Sequence, residues 1–129
     1  MSCVFCRIIA RQLPGYIIAE DENTIVWVSL ENHLIVVPKK HIPDIFGLDD
    51  KLAALIMSMA REVARATKEA LAADGIYITQ TNGAAAGQSV FHYHMHIYPK
   101  WSDGRLLDRD DESRKRTMEK VRAALQRQI

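Results

Sequence analysis

The chain has 129 residues, 48% of them hydrophobic and 26% charged, which is the ordinary composition of one compact domain with its own core. Seventeen basic against sixteen acidic residues leave a net charge of +1, and the longest charged stretch, from Arg105 to Lys120, mixes both signs. A basic surface built for a nucleic-acid backbone or an anionic membrane is therefore not expected. The start, Met1-Ser2-Cys3-Val4-Phe5-Cys6, lacks a basic segment followed by an apolar one, and no apolar run is long enough to span a bilayer, so the expected location is the cytoplasm.

In chain order, an amphipathic stretch around Ile8, Ile9 and Leu13 ends at the turn Pro14-Gly15. Segments 16–20 and 24–30 are rich in strand-forming residues, with Asp21-Glu22-Asn23 as a hairpin turn between them. A third β-branched run, 33–38, follows after only Glu31-Asn32 and ends at Pro38, which cannot donate to a ladder. From Asp49 the period changes: Leu52, Leu55, Ile56, Met59, Val63, Ala66 and Ala70 predict a long helix, with Gly75 as its stop signal. Two further strands are predicted over 76–81 and 90–98, joined by a small-residue loop, and a last helix places Met118, Val121, Leu125 and Ile129 on one side. Links too short for parallel crossovers make this a single α+β domain with a mainly antiparallel five-stranded sheet, a core over about residues 3–100 and a helical extension over about 110–129.

His92, His94 and His96 alternate with Tyr93, Met95 and Ile97, and the period of two in a strand turns all three imidazoles to one face. Neutral imidazole is a good nucleophile near pH 7, because its ordinary pKa is about 6.5. The attacking nitrogen must be unprotonated while the other is held in its N–H form; no Asp or Glu lies in the strand, so a backbone carbonyl is the expected holder. Gly87-Gln88-Ser89, just before the strand, offers backbone N–H groups, an amide and a hydroxyl to a phosphate.

His92-Tyr93-His94-Met95-His96-Ile97, preceded by Gly87-Gln88-Ser89-Val90, resembles the signature of the histidine triad superfamily of nucleotide hydrolases and transferases. The resemblance extends to Cys3, Phe5, Ile8, Pro14, Glu20-Asp21, Val37-Pro38-Lys39-Lys40-His41 and Asn82, and is strongest to the branch of histidine triad nucleotide-binding proteins. It implies a HIT-like fold in which His94 attacks a nucleotide α-phosphate, giving a nucleotidyl-histidine intermediate that water hydrolyses. It implies that His96, Ser89 and Gln88 assist the chemistry and that Asn82 and Gly87 help hold the phosphate. It also implies an apolar pocket for a purine base made by Phe5, Ile8, Leu13, Trp27 and Leu30, with Ser29 and His33 near the nucleotide, and a two-fold homodimer.

The chain departs from that pattern at Ser29, where many relatives carry an acidic residue that binds the ribose, and in the short link Glu31-Asn32. A neutral hydroxyl is a weaker partner than a carboxylate, so weaker discrimination between ribose and deoxyribose is expected.

Cys3-x-x-Cys6 has the spacing of a zinc chelate that needs two more ligands, for which His41 and His92 are the candidates. Zinc-containing members of the superfamily use the matching positions, implying a structural Zn2+. Two other readings stand beside these. One is a catalytic metal held by the three strand histidines; the other is a nucleotide-binding interaction module with little turnover.

Overall fold

The computed structural model describes residues 3–127, so Ile129 of the predicted last helix lies outside the described residues. The fold is α+β: a five-stranded antiparallel sheet with helices on both faces. Helix α1 covers Val4–Ile9, and strands β1 (Ile17–Glu20), β2 (Thr24–Val28) and β3 (Leu34–Pro38) form the expected meander. Helix α2 (Asp50–Ala70), β4 (Gly75–Thr79), β5 (Met95–Lys100) and α3 (Asp111–Arg127) complete it. The strand order is β1-β2-β3-β5-β4, so β5 lies in the interior between β3 and β4, with Ile35 opposite His96 on one side and Thr79 opposite it on the other.

Local chemistry explains the element ends. Asp21 Oδ1 accepts from the backbone N–H groups of Asn23 (2.8 Å) and Thr24 (2.7 Å), closing the β1–β2 hairpin as an Asx turn. Asp49 caps α2 by accepting from Leu52 N–H at 2.8 Å. Gly75 does not stop α2. The helix ends at Ala70 and the left-handed residue beyond it is Ala72 (φ 51°), while Gly75 opens β4 opposite Lys100. The expected strand 90–98 is also displaced: the ladder begins at Met95 and runs to Lys100, so of the three histidines only His96 is on it, and His92 and His94 lie on the irregular segment leading in. That segment forms no ladder because its atoms bond elsewhere, among them Tyr93 N–H to the carbonyl of Ile42 at 2.6 Å.

Alternation along the strands divides the core in two. Val26, Val28, Leu34, Val36, Met95 and Ile97 pack with Ile56, Met59, Ala60 and Val63 of α2 and Val121 and Ala124 of α3. Ile25, Trp27, Ile35 and Val37 face the other way and are covered by Phe5, Ile8 and Ile9 of α1. α1 is too short to cover that whole face, and the histidines sit where its cover ends, with the Phe5 ring 6.0 Å from His92 and 4.9 Å from His94. Among the described residues no helix is long and apolar enough to cross a membrane.

Candidate functional site

His94 is 8% exposed, and its Nδ1 lies 2.7 Å from the backbone oxygen of His92. A carbonyl only accepts, so Nδ1 carries the proton; burial pushes the pKa of His94 below its ordinary value despite the opposing pull of that carbonyl. The neutral ring therefore keeps its free lone pair on Nε2. Here the carbonyl expected from the sequence is that of the histidine two residues back.

His92 is held the other way round. Its Nε2 donates to the Pro38 carbonyl at 2.8 Å, burial again keeps the ring neutral, and the lone pair is left on Nδ1. That atom faces Cys3 Sγ (3.5 Å), Cys6 Sγ (3.5 Å) and His41 Nδ1 (3.1 Å), while Cys6 Sγ is 3.3 Å from His41 Nδ1. All four ligand atoms lie within 4.8 Å of one another. A tetrahedral zinc with ordinary Zn–S and Zn–N bonds separates its ligands by about 3.4 to 3.8 Å, so the cluster has the size of a zinc coordination shell. The bond from His92 Nε2 to Pro38 is the outer contact that orients a metal-ligating imidazole. The donor set is thus compatible with zinc. It is the one such cluster among the described residues, and His94 and His96 are not part of it, which removes the reading of a metal held by the three strand histidines.

His96 stands beside the nucleophile candidate, ring centroids 4.7 Å apart, and its Nδ1 is 2.7 Å from Nε2 of His33. His33 in turn contacts Ser29 Oγ through Nδ1 at 2.9 Å and stacks on Tyr98 with centroids 3.9 Å apart. Burial first, then the positive charge of His96 and His94 when they are protonated and that of Arg109 and Lys100, push the His33 pKa down to about 3.

This last shift predicts an acid-sensitive fold. The folded pKa of His33 lies below the ordinary value of about 6.5, so between these values the unfolded chain binds more protons and stability falls as pH falls. By pH 5 the contribution of His33 alone is about 2 kcal/mol of lost stability. The stabilised carboxylates Glu20, Asp21 and Asp110 have depressed pKa values, and their contribution is lost only as pH falls below their ordinary carboxylate range, under about pH 5. Thermal melts from pH 7.5 to 5 are expected to show a falling Tm in the wild type and a shallower fall in His33→Gln; identical slopes would refute the assignment.

The loop ahead of the histidines is closed by two positive-φ glycines and by its own hydrogen bonds. Gly83 (φ 95°) and Gly87 (φ 98°) bracket one 3-10 turn, Ala84–Ala86, in a backbone conformation that disfavours side chains. A Cβ built on Gly87 would meet nothing within 4 Å, so it is the backbone angle, not crowding, that calls for glycine. Gln88 is buried and its amide is committed inside the loop: Oε1 accepts from Gly83 N–H (2.7 Å), and Nε2 donates to the carbonyls of Pro43 (2.6 Å) and Val90 (3.0 Å). Asn82 Oδ1 accepts from Ile45 N–H (2.7 Å) and from Gln80 Nε2 (2.8 Å), tying the loop to the segment ahead of α2. Gln80 is a partner the sequence did not flag. Ser89 is exposed beside this brace.

Of the residues expected around a base, Phe5, Ile8 and Trp27 come together, the rings of Phe5 and Trp27 edge to face at 5.1 Å. Leu13 is half-buried in the link after α1, and Leu30 is 79% exposed at the turn after β2, apart from that cluster. Ser29 lies in the same turn, buried under His33.

An antiparallel sheet with buried imidazoles where its covering helix ends, and a cysteine–histidine cluster behind them, defines a small α+β protein with a histidine-centred site. The HIT domain family model matches residues 10–103, and the chain belongs to the HIT family. It is similar to a Zn-bound histidine triad family protein from Mycobacterium smegmatis, with 35% identity, a TM-score of 0.90 and 99% of this chain and 96% of that chain covered. It is also similar to a hypothetical histidine triad nucleotide-binding protein from Sulfolobus tokodaii (29% identity, TM-score 0.89, coverage 97% and 93%). A HIT family hydrolase from Clostridium thermocellum matches with 33% identity and a TM-score of 0.68 over 81% of this chain and 95% of that one.

Proposed function

We propose that this protein is a nucleotide-binding hydrolase in which His94 attacks the α-phosphorus of a purine nucleotide derivative and releases the nucleoside monophosphate. The observation that carries this reading is the bond from His94 Nδ1 to the His92 carbonyl, which leaves a neutral imidazole with its lone pair on Nε2. The similarity to a nucleotide-binding protein and to a hydrolase of the same family supports it.

In the first step the Nε2–P bond forms as the bond from phosphorus to the leaving group breaks, and the leaving group departs with the bonding pair. The ring becomes a phosphorylated imidazolium, whose charge the His92 carbonyl offsets through Nδ1–H. Water then attacks phosphorus, the Nε2–P bond breaks, the lone pair returns to Nε2, and the proton of water goes to solvent. Phe5, with Ile8 and Trp27 behind it, offers an apolar wall beside His94 for the base. Ser89, exposed just past the loop closed by Gly87, is the donor for the phosphate, and Gln88 and Asn82 hold that loop in shape. Cys3, Cys6, His41 and His92 would hold zinc as a structural tie, leaving it no open position for substrate.

The test is to incubate the protein with adenosine 5'-phosphoramidate and, separately, a dinucleoside polyphosphate, following AMP release by chromatography and AMP binding by calorimetry. Steady AMP release with either substrate is expected. Binding without release would replace this reading with that of an interaction module.

A further inference from the structure

We propose that Ser29 is a positioning residue that sets the tautomers of His33 and His96, so that His96 presents an N–H from Nε2 beside the free Nε2 of His94. Ser29 is 7% exposed, and its Oγ accepts from two backbone N–H groups, those of Glu31 (3.2 Å) and His33 (3.1 Å). A hydroxyl oxygen has two lone pairs and one proton. Both lone pairs are taken, so the 2.9 Å contact with His33 Nδ1 is made with the hydroxyl proton, and Nδ1 is the acceptor.

The rest follows along the contacts. Neutral His33 has one N–H, which is then at Nε2 and donates to His96 Nδ1 across 2.7 Å. Neutral His96 likewise has its one N–H at Nε2. His94, held by the His92 carbonyl, is the opposite tautomer. The two adjacent rings thus offer a lone pair and a donor, the pairing needed to attack a phosphorus centre while bonding to its oxygen or to the departing group.

The short β2–β3 link makes this possible. Ser29 N–H donates to the His33 carbonyl (2.7 Å), Asn32 N–H donates back to the Ser29 carbonyl (3.0 Å), and Asn32 takes a left-handed φ of 63°, so residues four apart face each other. The C-terminal region grips the same turn: Arg114 Nε donates to the Ser29 carbonyl at 2.9 Å, and Asn32 Nδ2 to the Asp108 carbonyl at 2.7 Å. The hydroxyl is therefore engaged inward, at the position from which the family resemblance implies a ribose contact.

The use of the donor rests on the hydrolase reading, whereas the tautomers belong to the free protein and are tested apart from it. Imidazole 15N correlation spectra of the full chain at pH 7.5 are expected to show protonated Nε2 and unprotonated Nδ1 in both His33 and His96, and the reverse in His94. Ser29→Ala is expected to give averaged or reversed patterns at His33 and His96 and a kcat about tenfold lower or more with little change in KM, since a wrong tautomer disables an otherwise intact group. Ser29→Thr, which keeps the hydroxyl, is expected to restore both. A wild-type His96 protonated at Nδ1 overturns the proposal whether or not Ser29→Ala folds, and so do unchanged tautomers in a folded Ser29→Ala. The stated tautomers without wild-type turnover support the positioning and overturn only the hydrolase reading.

Discussion

His94→Asn is expected to lower kcat for AMP release by at least about 10³-fold, the scale seen when a covalent nucleophile is removed, while AMP binding changes little. Asparagine keeps much of the shape against Phe5 and retains a donor for the His92 carbonyl, but has no lone-pair nitrogen to offer phosphorus. The change therefore removes the chemistry and leaves the apolar wall and the phosphate loop. Wild-type protein quenched during turnover under alkaline denaturing conditions is expected to carry a nucleotidyl group on His94, seen by mass spectrometry of the peptide containing it. No such adduct is expected in His94→Asn. Turnover of the variant at the wild-type rate would exclude His94 as the nucleophile.

Removal of metal is expected to have the largest effect on stability. Purified protein should contain one zinc per chain, and complete chelation or Cys6→Ser should lower Tm by about 10 °C or more, because binding energy at a closed cysteine–histidine site is folding energy. The four side chains come from the start of α1, the segment after β3 and the approach to β5, three parts that share no ladder at that point. Without the metal, two half-buried thiols and the Nδ1 atoms of two imidazoles crowd together with no cation to hold them. Activity should fall as well, since the backbone oxygen that holds His94 Nδ1 belongs to His92. Differential scanning calorimetry with metal analysis checks this; an unchanged Tm after full removal of metal would dismiss a structural role.

The sheet and long helices were legible because their periods are strong. Thr24 to Val28 and Leu34 to Pro38 are β-branched runs buried on both sides, and 49–70 keeps a helical stripe through six turns. The cysteine–histidine set was legible from spacing and resemblance together. What the sequence hid is what depends on competition for hydrogen bonds. The period of two in 92–97 suggested one strand, but the His92 and Tyr93 backbone atoms bond to His94 and Ile42 instead of a neighbouring strand. Gly75 looked like a helix stop because glycine tolerates left-handed angles, yet the chain places Ala72 there. Gln88 and Asn82 read as phosphate ligands, and their amides turn out to brace the loop, a role fixed by carbonyls and N–H groups from Pro43 and Ile45 that no local pattern reveals. Ser29 reads as a ribose contact weakened by the missing carboxylate, and nothing local to it shows that the turn folds its hydroxyl beneath His33.

The HIT domain model matches residues 10–103, and Arg114, which donates to the Ser29 carbonyl, lies beyond that span on α3. A change in α3 is thereby transmitted through one guanidinium to the turn that lies beneath His33.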